Sequence, residues 1–314
     1  MVPSTRFRRI RTCILLAASG ACATGSRQAD LAPPQVLGPG SISVGNVYRG
    51  SFTPDGDTLY FFKNVTEGEE DYRIFRAYRD GTAWSEPQPI SLGGDYSDLY
   101  PAISPDGRRM VFSSYRPAPG DTSAHPSAYL WYVEREDGRW GAPVFMAEAS
   151  EWAHYHSQPI FDARGDLYFN RSKWDYRGHS EHVSRWDGRQ YGAPDTSAGW
   201  LAWRDRIEPG RHLYETTPGY DGSFMLLVIG ERPDSGPVGP PDLHVSFRVD
   251  SGWTAPRPLG SGVNTPLPEN FAFYGAGGRE LYFVRDFSEF YHLPLVRALG
   301  PGTSAAGEQL HLRE

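Results

Sequence analysis

Asp98, His156, Glu215 and Glu269 recur at one place in a repeating pattern, and their side chains can bind metals, polarise hydroxyls or move protons. Each lies three positions before a residue that introduces an apolar pair: Pro101, Pro159, Pro218 and Ala272. Val47 takes that place ahead of Gly50. Carboxylates converging with an imidazole make a hard or mixed ligand set suited to Ca²⁺ or Mn²⁺. The same groups suit the hydroxyls of a sugar. Two carboxylates about 5–10 Å apart across a cleft would supply the acid and base of glycoside hydrolysis. A held metal would serve a uronate lyase. Against these readings, Asp and Glu are common in connecting loops, where they accept from backbone N–H groups.

Basic residues accompany the acids. Lys63, Ser114, Arg171, Ile229 and Arg285 stand at the far end of the second strand of each repeat, with Arg116 near Ser114. Lys63, Arg116, Arg171 and Arg285 beside the acids would hold an anionic sugar or a carboxylate. Ion pairs with the acids themselves are the preferred reading. His154 and His156, two apart on a strand, would face one side as a metal pair, or simply belong to a loop with Trp152 and Tyr155. Trp84, Trp140 and Trp253 recur with the repeat and are expected in the core. Trp174, Trp200 and Trp203 break the repeat and are candidates for stacking on carbohydrate.

The repeats that must position these groups are hairpins. Pro54-Asp55-Gly56 and Pro105-Asp106-Gly107 each separate two apolar-aromatic runs, and Asp162-Ala163-Arg164-Gly165, Asp221-Gly222 and Gly275-Ala276-Gly277-Gly278 do the same with looser turns. Pro and Asp favour the first turn positions, and Gly supplies positive φ. A second motif follows the first four hairpins: an Asp/Gly turn, an aromatic (Trp84, Trp140, Tyr191, Trp253) and a Pro that ends a short outer strand (Pro87, Pro143, Pro194, Pro256). Two hairpins make four strands, one blade of a β-propeller. The fifth copy lacks the second motif and continues as a third strand, Phe290 to Val296. Val36-Leu37-Gly38 resembles Pro258-Leu259-Gly260, so an N-terminal strand is expected to complete the last blade and close the ring. The expected fold is all-β, a propeller of five blades, or of six if residues 195–215 form a further blade.

The Pro-Asp-Gly turns and their flanking strands resemble the WD40-like repeats of the TolB propeller and its bacterial envelope relatives, over residues 35–297. That resemblance implies a propeller that docks a protein or glycan on one face. TolB has an additional N-terminal α/β domain for which this chain has no room.

Composition narrows the function. Arg6, Arg8, Arg9 and Arg11 precede a short apolar run, Ile14 to Ala21, which reads as an export signal over residues 1–22. Ser19-Gly20-Ala21-Cys22 resembles a lipobox with Cys22 as the lipidated residue, while Ala21-Cys22-Ala23 is also an Ala-x-Ala cleavage site. Residues 23–34 read as a tether and 298–314 as a tail. Cys13 and Cys22 are the two cysteines, so the domain has no disulfide and no thiol nucleophile. Removing residues 1–21 leaves 27 basic against 38 acidic residues, a formal charge of −11, which argues against nucleic acid as a partner. No Gly-x-Ser-x-Gly elbow, phosphate loop or dinucleotide fingerprint is present. The leading expectation is a non-catalytic, monomeric binding propeller, periplasmic or anchored to the outer membrane through Cys22. The rival is a carbohydrate-active enzyme, a glycoside hydrolase or metal-dependent uronate lyase, using Asp98, Glu215 and Glu269.

Overall fold

The computed structural model describes residues 33–66, 70–122, 127–151, 154–173, 179–231 and 239–300. The export segment with Cys22, and Trp152 and Trp174, lie outside them. The described residues form five small antiparallel sheets, the blades of a five-bladed propeller. Blade 1 runs through Val47–Phe52, Thr58–Asn64, Tyr72–Asp80 and Ala83–Trp84. Blade 2 runs through Asp98–Ile103, Arg109–Ser114, Tyr129–Glu136 and Arg139–Trp140. Blade 3 uses His154–Phe161, Leu167–Lys173, Ser180–Ser184 and Asp195–Thr196. Blade 4 uses Arg211–Pro218, Phe224–Glu231, Asp242–Val249 and Gly252–Trp253. Blade 5 uses Glu269–Tyr274, Glu280–Arg285 and Glu289–Pro294.

The turn chemistry explains why the looser copies still form hairpins. Asp55 Oδ1 accepts from Asp57 N and Asp106 Oδ1 from Arg108 N, both at 3.0 Å. In blade 3, Asp162 Oδ1 accepts from the backbone N of Arg164 (2.9 Å) and Asp166 (3.0 Å). In blade 4, Asp221 takes Ser223 N at 2.9 Å. The Pro is dispensable because an Asp carboxylate capping the turn and a Gly at positive φ (Gly56 +76°, Gly222 +77°) suffice.

Second strands lose the in/out alternation of a half-exposed strand. Leu59, Tyr60, Phe61 and Phe62 are all buried, because neighbouring blades cover both faces. Apolar clusters join blades 5 and 1, 1 and 2, 2 and 3, and 4 and 5. Next to blade 4 a short helix, α1 (Ala198–Trp203), follows the last strand of blade 3. Ser197 caps it, its Oγ accepting from Trp200 N, and Trp200 and Trp203 pack on Leu213, Met225 and Leu227. Residues 195–215 therefore hold the end of blade 3, α1 and the start of blade 4, not a sixth blade.

The ring closes through the N-terminal segment. Gln35 and Val36 pair with His292 and Tyr291 as the outer strand of blade 5. Leu37 N donates to Phe290 O at 2.9 Å, and Phe290 N to Ser43 Oγ at 3.0 Å. Leu295 and Val296, expected to end the third strand, begin a second helix, α2 (Leu295–Leu299).

Candidate binding site at the channel mouth

Hairpin registers fix which residues are equivalent around the axis. The backbone N–H of Thr53, Ser104, Asp162, Gly219 and Gly275 donates across its hairpin to the carbonyl of Thr58, Arg109, Asp166, Phe224 and Glu280. Six positions earlier stand Val47, Asp98, His156, Leu213 and Glu269. Their cross-strand partners are Lys63, Ser114, Arg171, Ile229 and Arg285. The second-strand set expected from the sequence is thus in register. Glu215 is not in the ring with Asp98, His156 and Glu269: Leu213 is, and Glu215 lies two residues further along its strand. Pro218 immediately precedes its turn residue, whereas Pro101 and Pro159 stand three before theirs, so alignment on proline misplaced blade 4.

The three true members of that ring fasten the blades. Asp98 is buried beside Arg116, whose Nη2 is 3.4 Å from Oδ2. Burial pushes the Asp98 carboxyl up, while Ser114 and Arg116 act the other way. Glu269 is fully buried, receives Arg285 Nε at 2.8 Å and accepts from Thr265 Oγ1 at 2.7 Å. His156 Nε2 accepts from Glu151 N at 3.0 Å, so the proton sits on Nδ1, 3.2 Å from Ala128 O. Burial holds that imidazole neutral, with its pKa lowered to about 3. Arg171 pairs with Glu151 at 2.7 Å, and Lys63 donates to Val44 O at 3.3 Å.

These commitments replace the expected ligand set. Among the described residues no group of three His, Cys, Asp or Glu side chains converges on a common point. His154 lies 3.8 Å from Glu151, so it and the fully engaged His156 make no metal pair. Trp84, Trp140 and Trp253, expected in the core, are half-buried and pack against core clusters, Trp140 donating from Nε1 to Tyr60 OH at 3.1 Å. Trp200 and Trp203 are buried in α1 and offer no stacking face.

The mouth itself is lined two residues further along four of the five inner strands, at Tyr100, Gln158, Glu215 and Phe271. Each inner strand carries one extra residue relative to its partner, a bulge that re-aims side chains. Tyr100, Gln158 and Phe271 pay for it with φ of +51°, +55° and +54°, a region bulky residues seldom adopt. Glu215 Oε2 accepts from Phe271 N at 3.0 Å, and the Gln158 side chain bonds it as well. Burial pushes its carboxyl up, and the nearby Arg49 charge acts against that.

Above this floor is a pocket of about 530 Å³. Tyr48, Tyr100, Phe271 and Phe287 form one wall, with Tyr48 and Phe271 edge-to-face at 5.7 Å. Ser157, His179, His212 and Tyr214 also line it. Two buried polar atoms of lining residues have no hydrogen-bond partner, His179 Nε2 and Asn270 Nδ2. Burial lowers the His179 pKa to about 4, so its ring is neutral at physiological pH. None of the aromatic wall was singled out in the sequence. The available signal was an aromatic two residues beyond the acid in Asp98-Leu99-Tyr100 and Glu269-Asn270-Phe271.

No family model matches this chain, and no curated protein matches it in sequence. Solved structures do. A putative TolB from Agrobacterium tumefaciens is 13% identical, over 80% of this chain and 91% of that one, with a TM-score of 0.42. A gluconolactonase from Xanthomonas campestris is 12% identical, over 85% and 96%, with a TM-score of 0.45. The tricorn protease is 13% identical over 80% of this chain, which spans 25% of that protein, with a TM-score of 0.44. At these identities the likeness is one of fold.

Proposed function

We propose that this chain is a non-catalytic binding propeller of the bacterial cell envelope that takes the end of a glycan in its aromatic channel mouth. One observation carries the reading: an aromatic wall lines the same pocket as two residues with buried polar atoms that lack partners, His179 Nε2 and Asn270 Nδ2. A pyranose presents an apolar C–H face and a rim of hydroxyls. The first suits Tyr48, Tyr100 and Phe271; the second would satisfy the orphaned groups, whose desolvation is otherwise uncompensated. The pocket volume falls in the range of roughly 300–1,000 Å³ typical of small-ligand sites. The arginine-led apolar run ahead of Cys22 supports export and a lipid anchor.

Binding stands ahead of hydrolysis because Asp98 and Glu269 are held in ion pairs. Glu215 lies in the floor, and the pocket's other carboxylate, Glu70, is exposed at the rim.

Thermal unfolding of the full chain against a panel of neutral and acidic glycan fragments tests the proposal. A ligand at about 100 times its Kd adds about 2.7 kcal/mol, a readable shift. A neutral fragment that raises Tm without being consumed supports it. Turnover of the fragment would favour the enzyme, and no shift with any fragment would remove the glycan reading.

A further inference from the structure

The opposite mouth of the channel, on the side of the hairpin turns, holds a second pocket of about 200 Å³. It shares no lining residue with the aromatic mouth. Its lining mixes the apolar Phe52, Ile103, Phe161, Phe273, Pro101 and Pro159 with the hydroxyl-bearing Ser51, Thr53 and Ser104. Arg49 and Tyr274 also line it.

Both carry donors without acceptors. Arg49 is 1% exposed. Its Nη2 reaches Thr217 Oγ1 at a long 3.4 Å, and its Nη1 has no partner. The Tyr274 hydroxyl is buried and has none either. The two groups lie close enough to feel each other's charge. Glu215 and Glu181 also act on Arg49 through space, but their oxygens are engaged elsewhere. Glu215 takes Phe271 N and Gln158, and Glu181 takes the hydroxyls of Ser197 and Thr216. A buried guanidinium with a free N–H, next to a buried hydroxyl with no acceptor, is costly unless an anion joins them.

We infer that this mouth binds a small monoanion with an apolar body, a carboxylate carried on an aromatic ring or a short branched chain. The carboxylate accepts from Arg49 Nη1 and Tyr274 OH, and the body lies against the phenylalanines and prolines. Arg49 is the one cation in the lining and already feels Glu215 and Glu181, so at most a single further negative charge is favoured. A phosphate dianion would bring a second charge for which the lining offers no further cation. The volume is below that of drug-sized sites, which limits the body to about one ring. This site does not depend on the glycan reading of the other mouth.

Calorimetric titration of the full chain with benzoate, benzamide and inorganic phosphate tests it. Benzoate is expected to bind, benzamide of the same shape to bind about tenfold more weakly or worse, and phosphate not to bind. Tyr274→Phe removes one donor and keeps the ring, so affinity for benzoate should fall several-fold with thermal unfolding unchanged. Arg49→Gln should abolish binding; if that variant folds poorly, Tyr274→Phe and benzamide still decide. No heat with millimolar benzoate, equal binding of benzamide, preferential binding of phosphate, or a Tyr274→Phe affinity equal to wild type would each overturn the inference.

Discussion

Glu215 of blade 4 accepts a hydrogen bond from the backbone N of Phe271 in blade 5 at 3.0 Å, and so one buried carboxylate holds the neighbouring blade's bulge at the channel mouth. Phe271 sits at φ +54°. The acid's position is therefore explained by architecture as much as by any ligand, and this separates two substitutions. Glu215→Gln keeps an acceptor for that N–H, and although it removes a charge that acts on buried Arg49, it should be the less destabilised of the two. Glu215→Ala orphans a buried donor and should cost roughly 1–3 kcal/mol. Chemical denaturation of the two variants checks the order. Equal stabilities would mean that the Phe271 N–H is satisfied in some other way.

The Glu269–Arg285 pair is the most enclosed ion pair of the ring, with the carboxylate fully buried and the guanidinium largely so. Removing one partner leaves an uncompensated buried charge. Arg285→Met should destabilise by about 3–5 kcal/mol. Glu269 and Arg285 do not line the aromatic pocket, so a glycan bound there should keep its affinity in whatever fraction of the variant folds. Denaturant midpoints alongside a binding isotherm separate the two effects. A loss of affinity with stability intact would return Glu269 to the site.

His156 makes stability depend on pH. Its folded pKa, about 3, is below the usual 6.5 because the ring is buried and the Arg171 charge lies nearby, while the Ala128 hydrogen bond acts the other way. The unfolded chain therefore takes up a proton that the native state refuses. The stabilisation is complete above pH 6.5 and is lost as pH falls from there towards 3, at roughly 1 kcal/mol per pH unit. Asp98 and Glu215, whose carboxyls are pushed up, work in the opposite direction, so the total curve is not diagnostic. The difference curve is: between pH 6.5 and 5, His156→Gln should lose less stability than wild type. Parallel curves would show that the imidazole is charged in the folded protein.

The ring of hairpins could be read from Pro54-Asp55-Gly56 and its looser copies, because a turn needs only a few residue types at fixed spacing. The closing strand at Val36 was legible for the same reason, through its likeness to Leu259 and its neighbours. The aromatic mouth was not. Its residues are chosen by bulges at Tyr100, Gln158 and Phe271, and a bulge shifts which side chain faces the axis without leaving a residue type behind. Pro218 then misplaced Glu215, since proline marks an extended segment rather than a register. Trp200 and Trp203 looked like exposed insertions because a six-residue helix is too short to show an apolar period.

The most direct test is calorimetric titration of the best glycan fragment into wild type and Phe287→Ala. Phe287 stands at the edge of the aromatic wall, packed on Tyr48 and Phe271 but 42% exposed, so its removal should lower Tm only slightly. Losing one aromatic contact of about 0.5–1.5 kcal/mol should weaken binding by roughly two- to tenfold. That result would put the glycan in the mouth formed by Tyr48, Tyr100 and Phe271. An unchanged affinity in Phe287→Ala would contradict it and move the ligand to another surface.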